Sequence, residues 1–265
     1  SDFLDDVLKG LAQNQKTLPC RWLYDARGSE LFEQITDLPE YYLTRTETAI
    51  LTDIATELAD LMGSGASLIE YGAGASVKTR ILLNAAQDLA RYIPIDVSEA
   101  FLMETADQLR RDYPDLPVEP LVGDFLSVLA LPETDRQRVG FFPGSTIGNL
   151  SDTDIHTFLT HARETLGPEA LFILGYDRVK PLSRLLSAYN DAQGVTAAFN
   201  LNLLRRINRE LGGTFDLQSF EHEARWNDAD SRVEIAHEVR VAPLILQDGK
   251  VALMESRDGL RLPDT

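Results

Sequence analysis

The sequence predicts an α/β fold with a mostly parallel sheet and a second, smaller lobe, and three observations carry this reading. From residue 67 onward, short apolar runs at 67–72, 92–97, 117–125, 138–145 and 170–177 alternate with stretches of helical spacing at 76–89, 99–111 and 155–166. Strands separated by about 10 to 15 helical residues require crossover connections, and those imply parallel pairing. After residue 177 the alternation breaks into helical segments at 183–190 and 195–211. Two strand candidates follow, 220–226 and 232–241, around the turn-like stretch 227–230, which reads as an antiparallel hairpin. Finally, the 265 residues exceed the ~250 at which single cores stop growing. The expected division is residues 1–44 as N-terminal helices, 45–178 as the core and 179–265 as the inserted lobe.

The elements follow in order. Apolar residues at 3, 4, 7, 8 and 11 lie on one helical face. Past Leu18, Pro19 and Cys20, Ser29 is placed to cap a short helix carrying Leu31, Phe32 and Ile35. Thr44 and Glu47 have the spacing of a capping box ahead of Ile50, Leu51, Ile54, Leu58 and Leu61. Gly63, Ser64 and Gly65 then punctuate the chain before the first strand.

Composition bounds the function. Apolar residues make up 44% and charged residues 25%, and no apolar run reaches the ~18 residues of a membrane span. The acidic N-terminus lacks the pattern of a secretory signal, so a cytoplasmic protein without a membrane partner is expected. One cysteine, Cys20, forms no internal disulfide. A net charge of −17 disfavours nucleic acid as partner. The four histidines and the cysteine form no metal-binding spacing, so no metal is expected.

In an open α/β sheet, ligands sit beyond the carboxyl ends of the strands. After the first strand, Glu70-Tyr71-Gly72-Ala73-Gly74-Ala75-Ser76 is a glycine-rich turn entering a helix. Such a turn lets backbone approach a ligand, although alone it reads equally as a tight connection. Val77 stands where a dinucleotide fingerprint has its third glycine. The second strand ends at Asp96, where a carboxylate can accept from both hydroxyls of a ribose. The third ends at Gly123-Asp124-Phe125, where a carboxylate can accept from an adenine amino group while the ring packs on the base. Taken singly, each carboxylate is a helix cap or a solvated loop residue. Together they describe an adenosine with an amino-acid tail, as in S-adenosylmethionine. The fourth strand ends in residues 143–150, where Asn149 can orient an amine or a carboxylate, or simply serve as a polar turn residue before a Ser151 cap.

These residues resemble the histidine Nα-methyltransferase family of ergothioneine biosynthesis. The resemblance rests on YDARGSELFEQITDLPEYYLTRTE at 24–47, EYGAGASVKTRILL at 70–83, PIDVS at 94–98, GDF at 123–125 and GSTIGNL at 144–150. AYNDAQGVTAAFNLNLLRRINREL at 188–211 and FEHEARWN at 220–227 complete it. It implies a Rossmann-like class I methyltransferase core, with a substrate lobe built from the N-terminal helices and an insertion after the fifth strand. The implied activity is transfer of methyl from S-adenosyl-L-methionine to the α-amino nitrogen of L-histidine, three times, giving hercynine. It implies Gly72, Lys78, Asp96, Asp124 and Phe125 as cofactor contacts. Tyr41, Gly144, Asn149 and Tyr189 are implied to bind the acceptor, with Tyr24 and Asn149 as the catalytic pair and Tyr24 near the acceptor nitrogen. A monomer is expected.

The tail VAPLILQDGKVALMESRDGLRLPDT departs from the family pattern, in which a glutamate and a serine grip the imidazole before closing strands return to the core sheet. Those strands are therefore expected to be incomplete here. Two other readings remain at this point: the same chemistry on another amino acid or an aromatic amine, and a module that binds the cofactor without catalysis.

Overall fold

A computed structural model of the chain describes residues 2–74 and 76–239, together with the backbone of three short strands at 242–245, 251–255 and 259–261. Two compact units emerge, one formed by Leu43–Arg178 and the other by Ser1–Tyr42 with Val179–Thr265.

The first unit is built on five parallel strands: β1 (Ser67–Tyr71), β2 (Arg91–Asp96), β3 (Leu121–Val122), β4 (Arg138–Phe142) and β5 (Leu171–Leu174). Their order is β3-β2-β1-β4-β5, so the chain leaves β1 toward one side and returns to pair β4 on the other. That reversal makes the carboxyl ends of β1 and β4 the natural crevice. Every residue of β1 is buried, as a central parallel strand requires. The helices are α3 (Tyr42–Met62), α4 (Thr79–Ala85), α5 (Glu99–Asp112) and α6 (Asp152–Leu166). Leu51 and Met62 of α3 pack with Leu68, Leu82, Leu109 and Phe141 in one core, while Ile69, Ile95, Phe142 and Phe158 centre another.

Three local expectations need correction. The helix foreseen over 76–89 forms only as α4, because Gly72, Gly74 and Ser76 all take positive φ and hold the chain in an open turn until Thr79. The capping box at Thr44 and Glu47 does not form: α3 already begins at Tyr42, and Glu47 bonds elsewhere. Ile50 and Leu61, read as part of the apolar stripe of α3, are exposed.

The second unit holds α1 (Asp2–Leu11), α2 (Ala26–Asp37), α7 (Leu182–Ala188), α8 (Val195–Leu211) and the antiparallel pair β6 (Phe220–Asn227) and β7 (Arg232–Val239). Phe3, Val7 and Leu11 of α1 pack on Leu203, Leu204 and Ile207 of α8, with Phe215 and Phe220 closing the cluster. Asp25, not Ser29, caps α2: its Oδ1 accepts the Gly28 N–H at 2.8 Å. Among the described residues, strands β8 (Ala242–Ile245), β9 (Val251–Glu255) and β10 (Gly259–Arg261) pair with one another in a separate three-stranded sheet, and β5 stands at the edge of the five-stranded sheet. The remaining residues of the tail that departs from the family pattern lie outside the described residues, as does Ala75 of the glycine-rich turn.

Candidate active site

In the first unit, the groups foreseen as cofactor contacts come together at the carboxyl edge of the sheet. Gly72 follows β1 with φ +70°, and a Cβ built there would meet nothing within 4 Å, so the turn faces open space. Its N–H donates to Ile95 O at 2.9 Å, which ties the turn to β2. Asp96 closes β2 and accepts the Ser98 N–H through Oδ1 at 2.9 Å. Asp124 stands just past β3, and its Oδ1 accepts the Leu126 N–H at 2.9 Å. Strands β1, β2 and β3 are neighbours, so these three positions line one edge in sequence order. Phe125 lies against Phe142 and Phe158 at 5.4 and 5.5 Å between ring centroids. The pattern of glycine cradle, two carboxylates and aromatic floor fits an adenosine-bearing ligand.

Beneath the turn lies a buried polar cluster. Glu70, 2% exposed, accepts from Thr79 Oγ1 at 2.5 Å and from the Tyr92 hydroxyl. Burial pushes its carboxyl up to about 7, against the downward pull of those two hydroxyls. Ser76 shares a 3.4 Å contact with the same Tyr92 hydroxyl, so the turn is fastened to the strands below it.

The turn after β4 is held equally firmly. Gly144 has φ +83° and Ser145, a residue with a side chain, φ +57°, a left-handed conformation costing roughly 1 kcal/mol. Ser145 Oγ accepts the Asp177 N–H at 2.8 Å, and the Gly144 N–H donates to both carboxylate oxygens of Glu47. Glu47 also pairs with Lys78. The Gly144 amide, foreseen as part of the acceptor site, is thus committed to Glu47 within the protein. Asn149 ends the short 3-10 turn Thr146–Asn149 and is exposed.

In the second unit, Tyr24, Phe32, Tyr41, Tyr189 and Phe199 form a continuous aromatic group. Tyr24 packs edge-on against Phe32 and Phe199, each at 5.4 Å, and Tyr41 lies edge-on to Tyr189 at 6.0 Å. Desolvation, then Cys20 and Tyr189, push the Tyr24 hydroxyl above the ordinary phenol range, although the residue keeps 40% of its surface exposed. Tyr24 therefore stays protonated at neutral pH. Its neighbour Asp25 is anchored by Asn202 Nδ2 at 2.7 Å and Arg209 at 2.6 Å. Burial works against the charge of Asp25, but Arg209, the Gly28 N–H and Asn202 outweigh it and hold the carboxyl below its usual range.

A family of S-adenosylmethionine-dependent, histidine-specific methyltransferases matches residues 3–255 of the chain. The chain belongs to that family. Among its relatives, the histidine N-alpha-methyltransferase of Mycolicibacterium smegmatis is 45% identical over 91% of this chain and 78% of its own length. That of Mycobacterium tuberculosis is 44% identical over 87% and 72%. Ergothioneine biosynthesis protein 1 of Neurospora crassa is 38% identical over 75% of this chain but only 23% of its own length.

In this histidine-specific methyltransferase, Glu47 and Glu70 are the polar groups that sequence reasoning passed over. Glu47 was hidden by its capping-box spacing. Glu70 had a visible signal, a carboxylate inside the apolar run SLIEY, where only a paired charge is tolerated. Among the described residues no helix is long and apolar enough to cross a membrane, and no group of three or more His, Cys, Asp or Glu is placed to hold a metal ion.

Proposed function

We propose that the protein methylates the α-amino nitrogen of L-histidine, three times in succession, to give hercynine for ergothioneine biosynthesis. The observation that carries this reading is the 45% identity, over 91% of the chain, to a histidine N-alpha-methyltransferase. S-adenosyl-L-methionine supplies an electrophilic methyl group that passes in line to a neutral amine.

The chain's own residues then have distinct roles. Gly72 gives backbone room at the turn after β1, Asp96 accepts from the ribose hydroxyls, Asp124 from the adenine amino group, and Phe125 packs against the base. Lys78 contributes its ammonium beside the turn, with Glu47 fixing its position. Asn149 and the Gly144 turn are assigned to the acceptor, as are Tyr41 and Tyr189. Tyr24, protonated, accepts through its hydroxyl oxygen a hydrogen bond from an N–H of the acceptor amine and so aims the amine lone pair at the methyl group, while the proton of the ammonium leaves to water. Positioning of this kind can contribute ~7 to 11 kcal/mol to a two-body reaction. No metal is required by this chemistry. The reading makes the enzyme a cytoplasmic monomer acting on a small molecule, without a nucleic acid or membrane partner.

Mass spectrometry of a panel of α-amino acids and aromatic amines incubated with S-adenosylmethionine tests this. Mass gains of one, two and three methyl groups on histidine are expected. Methylation of another amine in preference to histidine would move the assignment to that substrate, and methylation of none, with S-adenosylhomocysteine still bound, would leave a binding module.

A further inference from the structure

We propose that His222 is a positioning residue for acceptor binding: a neutral imidazole, oriented by Asn200, that holds the backbone carbonyl of Tyr189. The proposal rests on the assignment of Tyr189 to the acceptor. Asn200 lies on α8, 5% exposed, and its Nδ2 is 3.1 Å from Ala236 O and 3.2 Å from His222 Nδ1. A backbone carbonyl only accepts, so the amide nitrogen must be the atom that faces Ala236. Its second hydrogen then points at His222 Nδ1, which has to accept. An imidazole that accepts at Nδ1 and is neutral carries its proton on Nε2, and His222 Nε2 lies 2.7 Å from Tyr189 O.

His222 and His237 stand opposite each other on β6 and β7. His237 Nε2 donates to the Asn200 carbonyl at 3.1 Å, so both histidines address the same asparagine, one through its side chain and one through its backbone. Burial pushes His237 down to about 4, which keeps it neutral as well. Tyr189 sits past the last residue of α7 with φ −112° and ψ 7°, and its ring meets Tyr41. Fixing its carbonyl restricts the ψ of Tyr189 and so the place its ring can occupy.

The test combines kinetics with ring spectroscopy on the full chain. His222→Phe keeps the ring volume and removes both hydrogen bonds. It should raise KM for histidine about 5- to 30-fold, the effect of losing one or two buried hydrogen bonds, with the dissociation constant of S-adenosylhomocysteine unchanged. His222→Gln places an amide N–H about where Nε2 stood and should recover part of the loss. An unchanged KM in His222→Phe overturns the proposal, as does an equal weakening of both ligands. Nitrogen-15 spectra of the wild-type imidazoles supply a readout that needs no variant to fold. His222 should be the neutral Nε2–H tautomer near pH 7.5, and an Nδ1–H tautomer or an imidazolium there overturns the proposal. A wild type that methylates no amino acid would count against the functional reading alone, and the spectrum would then decide the orientation of His222.

Discussion

Glu47 and Gly144 stand 97 residues apart in the chain, yet the Gly144 N–H donates to both oxygens of the Glu47 carboxylate, at 2.8 and 2.9 Å. The same carboxylate pairs with Lys78, and Gly175 closes over it so tightly that a Cβ there would lie 1.9 Å from Oε1. One side chain of α3 therefore fixes the turn after β4 and the lysine at the start of α4. With both partners under 20% exposed, screening by water is limited.

Glu47→Ala leaves the Lys78 ammonium unpaired and strips a hydrogen bond from Gly144. A loss of about 2 to 4 kcal/mol is expected, or roughly 4 to 16 °C in melting temperature at about 2 to 4 °C per kcal/mol. Glu47→Gln, which keeps an acceptor for the Gly144 amide, should lose less. Equal melting temperatures for wild type and Glu47→Ala would show that the turn is held by something else.

Glu70 predicts a pH dependence of stability. Its carboxyl sits at about 7 in the folded chain against 4.5 ordinarily, so between those values the folded state binds the proton that the unfolded state has released. Stability from this group is therefore lost as pH rises from about 4.5 to 7, by up to about 3 kcal/mol at 1.36 kcal/mol per pKa unit. Glu70→Gln removes the titration. Melting curves should show the variant gaining on wild type between pH 5 and pH 8, and two parallel stability profiles would refute the assignment.

Strands β1, β2 and β4 were legible because mostly buried strands read as short apolar runs, β3 and β5, which are partly exposed, because they fall in the same alternation, and the crossovers because their helices carry period-3.6 faces. What escaped was long-range polar pairing. Glu47 has the local spacing of a cap, but a carboxylate's partner is set by tertiary geometry, and here it lies 97 residues away. Asn200 lies on a helix and His222 on a strand, 22 residues apart, and no local spacing links them. Only the packing of α8 against β6 and β7 brings the amide, the ring and the Tyr189 carbonyl together. The strand-end carboxylates were found because topology alone decides where strand ends go.

Asp96 and Asn149 should separate cofactor from acceptor. Asp96→Ala removes hydrogen bonds to a charged acceptor, each worth ~1.5 to 3 kcal/mol, so S-adenosylhomocysteine should bind at least about tenfold more weakly by calorimetry. Asn149→Ala should leave that affinity within about twofold, while the histidine titration weakens and turnover slows, as loss of about one hydrogen bond implies. The reverse pattern would exchange the two roles.

The rate itself should rise with pH. Only the neutral amine has a lone pair for the methyl group, and an α-amino group titrates near ~7.7 to 8.0 at a chain terminus and higher in a free amino acid, so through neutral pH each unit should raise the single-turnover rate about tenfold. Two sources could impose such a slope, the acceptor amine or an enzyme base. Tyr24 is the candidate base, but desolvation holds its hydroxyl above the ordinary phenol range, so at neutral pH it is a phenol and removes no proton as phenolate. The slope then belongs to the acceptor. Tyr24→Phe should lower the single-turnover rate by losing a hydrogen bond to the amine, about 5- to 30-fold, while keeping the same rise with pH. A profile that flattens in Tyr24→Phe would make the tyrosine the titrating base. A wild-type single-turnover rate already flat from pH 6 to pH 9 would show that deprotonation of the acceptor amine does not limit methyl transfer.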